Sequence, residues 1–215
     1  MPAITICCEG SEGVFKSTNV EALSNYLRDK GFKVLTTKEP GTPHIPVTME
    51  LRRIMLDQAY DSSLTRQARE LISQAIRSIH REKLIIPSSN EYDFIIQDRG
   101  VISGFAYGLA CGNSLEDLIS LSQYIIPEDV DHPARLYDKI LYLSRNISDG
   151  LNSAISSKQE FETGDAIESK GIIFMEEVNK NFENIISTAD NVFRVDVSDK
   201  TKDEVLQEIV RVLGI

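Results

Sequence analysis

Short, fully apolar runs that alternate with amphipathic stretches constrain this chain more than any other feature. Residues 4–8 (Ile-Thr-Ile-Cys-Cys) are apolar and β-branched, and after a glycine-containing turn Val20, Leu23, Tyr26 and Leu27 recur at helical spacing up to Gly31, a suitable C-terminal cap. The pattern then repeats. Residues 32–36 read as a strand, 47–56 as a helix after the Pro- and Gly-rich 39–46, and 64–86 as a long helix. Phe94-Ile95-Ile96 is apolar on both sides, as a strand covered on both faces must be, and Asp98 and Arg99 stand at its carboxyl end. Ser114 with Asp117 predicts a capped helix through Ile126; 140–143 and 192–197 predict two more strands with two helices between them, and 200–213 a closing amphipathic helix. Strands separated by helices imply an α/β fold with a parallel sheet between two helical layers and ligands at the carboxyl ends of the strands.

A chain of 215 residues, 41% hydrophobic, can bury one substantial core, so a single domain over 1–215 is expected. Within it, 144–171 is polar and poor in large apolar residues, which fits either a flap over a site, a lid over about 145–171, or a solvated helix. Cys7 and Cys8 would point to opposite faces of a strand, and with Cys111 they make an odd number at no metal-ligand spacing; buried reduced thiols are the expectation. A net charge of −10 excludes a general nucleic-acid binder, since duplex binding depends on clustered Lys and Arg. It leaves room for a small anionic substrate held by a few converging arginines. No apolar run reaches bilayer-spanning length, and the N-terminus leads directly into the first strand, so a cytoplasmic protein without membrane contact is expected.

The turn after the first strand carries the chemistry. Gly10-Ser11-Glu12-Gly13-Val14-Phe15-Lys16-Ser17-Thr18 follows a strand and opens a helix, the context in which a phosphate-binding P-loop match is meaningful. In such a loop backbone N–H groups and the helix N-terminus surround the phosphates, Lys16 would reach the terminal phosphates, and the Ser17 hydroxyl would bind Mg²⁺. Phe15 stands where the motif has Gly, and a benzyl group there threatens both the close approach of the backbone to a phosphate and the backbone conformation itself.

Several separate segments, in order, resemble the thymidylate kinase family: Ile6-Cys7-Cys8-Glu9-Gly10, Thr37-Lys38-Glu39-Pro40-Gly41-Thr42, Glu50-Leu51-Arg52-Arg53, Arg77 with His80 ahead of Pro87, Asp98-Arg99, Ser103-Gly104-Phe105-Ala106-Tyr107, 137–143, and 165–178. The resemblance implies a P-loop NTPase-type fold with a helical lid, and transfer of the γ-phosphoryl of ATP, with Mg²⁺, to a deoxynucleoside monophosphate, dTMP foremost. Residue by residue it implies catalytic roles for Lys16, Arg99 and Glu12 and ATP binding by residues 10–18. It places the acceptor phosphate on Arg52 and Arg99, the base near Arg77, Ser73 and Tyr107, and further acceptor contacts at Glu39, Pro40, Asp98, Gly104 and Glu168. It also implies a homodimer through the helices around 64–86 and 115–126.

Three departures from the family pattern stand beside these matches. Phe15 replaces the loop glycine; the lid's Asp-Arg-Ile-Glu becomes Asp165-Ala166-Ile167-Glu168, with no arginine in the loop to replace it; and Ser73 stands where the family has a Phe that stacks on the base. An arginine finger contributes a thousandfold or more in related phosphoryl transfers, on the order of 10³–10⁵. The alternative reading is therefore a catalytically weak or inactive homologue that serves as a nucleotide-binding or interaction module. A third is a P-loop kinase for another small acceptor, which Ser73 and Gly104 favour.

Overall fold

Each apolar run becomes a strand of one parallel sheet in the computed structural model, which describes residues 2–126, 132–146, 148–150 and 165–215. The strands are β1 (Ile4–Glu9), β2 (Val34–Lys38), β3 (Phe94–Asp98), β4 (Lys139–Ser144) and β5 (Val192–Asp196), in the order β2-β3-β1-β4-β5. Cys8 of β1 lies beside Asp98 on one side and Leu141 on the other, so the carboxyl ends of β1 and β3 come nearly level while β4 runs on past them to Ser144.

The helices are α1 (Lys16–Asp29), α2 (Pro46–Leu56), α3 (Arg66–His80), α4 (Val101–Ala110), α5 (Leu115–Ile125), α6 (Gly171–Ile186) and α7 (Lys202–Leu213). Side chains alternating along a strand feed two different cores. Leu141 and Leu143 of β4, with Ile6 and Cys8, pack under α1 and α7 against Leu23, Leu27, Val205 and Ile209. Ile140 and Tyr142 face the other way, onto Ile102 and Ala106 of α4 and Val178 and Phe182 of α6. Cys7 and Cys8 divide in the same manner, both fully buried as free thiols, and burial raises both of their pKa values well above the ordinary thiol range.

Helix starts follow their local chemistry. Thr65, Ser114 and Thr201 each accept a backbone N–H in the first turn of α3, α5 and α7, and at α7 the Glu204 carboxylate returns the bond to complete a capping box. The predicted helix 64–86 differs in its second half: α3 gives way at Arg81–Ile85 to a wider π-helical turn, which continues through Ile86–Ser88. Pro87 sits in the first turn of that last piece, where the missing N–H is tolerated. Most of the segment read as a lid lies outside the described residues, as does the side chain of Glu168. Among the described residues, no helix is long and apolar enough to cross a membrane.

Candidate active site

Four strand ends deliver four polar positions side by side: Gly10 after β1, Glu39 after β2, Arg99 after β3 and Arg145 after β4. Gly10 is demanded by its neighbour, because a Cβ there would collide with the Leu143 carbonyl; one on Gly13 would collide with the Gly150 backbone. The chain just past β4 thus rests directly on the loop. Val14 does not face the ligand side, since its side chain is buried in the core.

Phe15 caps α1 at φ 58° and ψ 34°, the left-handed conformation that favours glycine. The expected conformational mismatch is met. The Phe15 ring is 46% exposed, with the Arg145 guanidinium 5.0 Å above its centroid. Sequence reasoning missed Arg145; its only signal was its place one residue beyond a buried strand.

Lys16 is buried and folds back so that Nζ donates to the Ser11 carbonyl at 2.5 Å. Burial first, then repulsion from Arg99, lowers its pKa to about 8. Ser17 Oγ donates to Asp98 Oδ2 at 2.5 Å. A hydroxyl and a carboxylate so close form the hard-oxygen donor pair that suits Mg²⁺, a cation that keeps several waters and needs few protein ligands. Asp98 thus pairs with Ser17 beside the loop, and it is not among the residues that line the adjoining cavity.

That cavity, about 140 Å³, lies among α2, α3 and α4 and is lined by Arg52, Arg77 and Arg99 together, with Glu12, Glu39, Pro40, Ser73, Gly104 and Tyr107 on its wall. Arg99 takes φ 63°, an uncommon conformation for a residue with a side chain, and its guanidinium donates to Glu12 Oε1 at 2.5 Å and to the Gly10 carbonyl at 3.0 Å. Tyr107 donates to the same Glu12 oxygen at 3.1 Å and lies under Arg99. Arg77 Nε donates to Glu39 Oε2 at 3.1 Å, and His80 Nδ1 is 3.0 Å from Glu39 Oε1. Burial alone would raise the Glu39 pKa; Arg77 and His80 outweigh it and hold the carboxyl below its usual value. Arg52 Nη1 donates to the Pro40 carbonyl at 3.0 Å. The arginines are positioned by protein acceptors in advance of any ligand.

Glu9 figures in the resemblance only as part of the strand that enters the loop, without a role of its own. It is fully buried beneath this layer, accepts from the backbone N–H of Ser103 at 3.2 Å and from its hydroxyl, and burial raises its pKa despite these bonds and Arg99. Ala166, in place of a lid arginine, is buried, and its N–H donates to the Leu56 carbonyl at 2.7 Å; Ile167 packs on Met55, Leu56 and Ile76. Of this segment Asp165 and Ile167 line the cavity, and neither is a cation.

A loop built for phosphates beside a cavity that Arg52, Arg77 and Arg99 help to line is the arrangement of a kinase for a small phosphorylated acceptor. The family model for thymidylate kinase matches residues 8–209. A thymidylate kinase of Protochlamydia amoebophila is 30% identical over 212 residues, covering 97% of this chain and 91% of its own. One of Finegoldia magna is 26% identical over 209 residues, covering 97% and 96%. The crystal structure of thymidylate kinase from Ehrlichia chaffeensis superposes with a TM-score of 0.74 at 20% identity over 100% of both chains, which shows a shared fold. Motif order, cavity and the match of nearly the whole length agree, and the chain belongs to the thymidylate kinase family.

Proposed function

We propose that this protein transfers the γ-phosphoryl group of ATP to a deoxynucleoside monophosphate, with dTMP, the substrate its family is named for, as the reference acceptor. The observation that carries this reading is the convergence of Arg52, Arg77 and Arg99, from three separate segments of an acidic chain, on one cavity beside the P-loop. Guanidinium forks bind phosphate oxygens bidentately, and Arg99, whose guanidinium donates to the Gly10 carbonyl, stands beside the loop, where an acceptor phosphate would meet the donor.

In this mechanism an oxygen of the acceptor phosphate displaces ADP from the γ-phosphorus. The protein's own part is to hold two polyanions in line and offset the charge that spreads over the transferring group. Lys16 must leave the Ser11 carbonyl to reach the donor phosphates. Ser17 and Asp98 would hold Mg²⁺, which supplies further neutralisation of the phosphate oxygens. Glu12 fixes the guanidinium of Arg99, and Glu39 that of Arg77.

The test is a coupled assay of ADP release with ATP, Mg²⁺ and dTMP, alongside direct titration with each nucleotide. Turnover that disappears in Arg99→Ala and Lys16→Ala supports the reading; failure of every deoxynucleoside monophosphate to bind below millimolar concentration removes it. The strained Phe15 and the buried Ala166 favour a second reading, a weak or inactive homologue, which predicts ATP binding without turnover. Leu71, Leu115 and Ile119, exposed on the neighbouring helices α3 and α5, support a homodimer through this face. A monomer mass of 24.1 kDa by light scattering at micromolar concentration would exclude it.

A further inference from the structure

The acceptor cavity does not end at the base position beside Arg77 and Ser73. It runs on along α3, where Glu70 lies seven residues before Arg77, about 10 Å at the helical rise, and Asn113 approaches from the turn before α5. This is longer than a single pyrimidine ring requires. The opposite wall carries no side chain at two points: a Cβ on Gly104 would collide with Arg77, and one on Gly108 would stand 3.0 Å from Leu118 Cδ2 and 3.2 Å from Glu70 Oε2. Both glycines, one turn apart on α4, line the cavity opposite α3.

Glu70 is only 8% exposed, and its neighbours are amides. Gln74 Nε2 donates to Oε1 at 2.7 Å, and Asn113 Nδ2 reaches Oε2 at a long 3.5 Å. The arginines of the same wall are committed elsewhere: Arg77 to Glu39 and Gln74, Arg66 to the Gly112 carbonyl, and Arg69 to Asp61. A carboxylate accepts about four hydrogen bonds, and a buried one with two amide partners retains capacity for strong donors. Burial raises its pKa, with Gln74 and Arg77 offsetting only part of the effect.

We propose that Glu70 and Asn113 form a subsite that selects acceptor nucleotides whose base carries a hydrogen-bond donor beyond the outline of thymine. The shared chemistry is an N–H or O–H group directed at the Glu70 carboxylate: the N1–H and N2–H edge of guanine supplies it in one class of nucleotide, a 5-hydroxymethyl substituent on a pyrimidine in another. Ser73 admits the larger base and Glu70 recognises it. This inference rests on the acceptor reading above, with the phosphate at Arg52 and Arg99.

The experiment is calorimetric titration of the full chain with dTMP, dGMP, 5-hydroxymethyl-dUMP and 5-ethyl-dUMP, the last matching the added bulk without a donor. At least one of the two donor-bearing nucleotides is expected to bind about tenfold more tightly than 5-ethyl-dUMP, the effect of one hydrogen bond to a charged group. In Glu70→Leu that ratio should fall to near one. Glu70→Gln preserves the shape and serves if the Leu variant does not fold; it should lose most of the ratio. Tighter binding of dGMP or of 5-hydroxymethyl-dUMP tells which source of the donor the slot fits. Equal affinities in the wild type, or a preference that survives both substitutions, would overturn the subsite while leaving the kinase reading intact. Absence of binding by all four nucleotides would overturn both.

Discussion

The two halves of the site are held in opposite ways. On the acceptor side every arginine is tied to a fixed protein acceptor, Arg99 to Glu12 and Gly10, Arg77 to Glu39, Arg52 to Pro40, so the cavity keeps its shape before a ligand arrives. On the donor side the loop is closed upon itself: Lys16 occupies the Ser11 carbonyl, Phe15 is strained in the left-handed region, and Gly150 abuts Gly13. Binding of an acceptor needs little rearrangement, whereas binding of ATP must first release Lys16. A preorganised site spends less of its interaction energy on ordering. The acceptor should therefore depend on the guanidinium network and be indifferent to moderate pH, and the donor should depend on the charge and mobility of one lysine.

Arg99→Ala should have the largest effect and should fall mainly on the acceptor half, although Arg99 also touches the loop through the Gly10 carbonyl and repels Lys16. Removing one member of a buried ion pair costs about 3–5 kcal/mol, because Glu12 is left uncompensated. We expect acceptor affinity to fall at least about a hundredfold by titration. A loss of ATP affinity as large as the loss of acceptor affinity would show that the halves are not separate.

The donor half is sharpened by pH. Lys16, its pKa lowered by burial to about 8, is protonated below that pH and neutral above it. Only the ammonium form attracts phosphate, so ATP affinity should be level up to about pH 8 and then fall by up to about tenfold per unit. Acceptor affinity, held by guanidinium groups that stay charged, should not follow. Titrations of both nucleotides between pH 7 and 9 check this; a flat ATP profile would mean that Lys16 does not engage the phosphates.

Phe15→Gly should have the smallest effect. Relief of a left-handed backbone is worth about 1–2 kcal/mol, opposed by loss of the Arg145 stack at about 0.5–1 kcal/mol and by the greater freedom of glycine in the unfolded chain. These terms nearly cancel, so stability in denaturant should shift by less than about 1 kcal/mol and ATP affinity by less than about threefold. Tenfold tighter ATP binding would show that the ring obstructs the loop after all.

The alternation of buried runs and amphipathic helices, the cap at Ser114, the closing helix, and the positions of Asp98 and Arg99 at a strand end were all legible, because each depends on residues close in the chain. Arg52, Arg77 and Arg99 could be nominated only through their order along a family pattern. Their meeting in one cavity depends on the sheet order. Arg145 and Glu9 carried little signal beyond their place at a strand end, and the Glu70–Asn113 pair carried none: an Arg after a strand, a Glu within one and a Glu on a helix look ordinary until neighbours far away in sequence surround them. The same holds for Phe15, whose conformation was anticipated from the glycine it replaces but whose exposure was not.

By itself, then, the sequence determined the layers of this protein and the turns that end its strands, since hydrophobic period and capping act over a few residues. Tertiary structure alone decided how exposed Phe15 is, where Lys16 rests in the closed loop, that Ala166 is packed inward, and how far the acceptor slot extends past Ser73. Burial and charge pairing are set by segments tens of residues apart, and only their packing brings those segments within hydrogen-bonding reach.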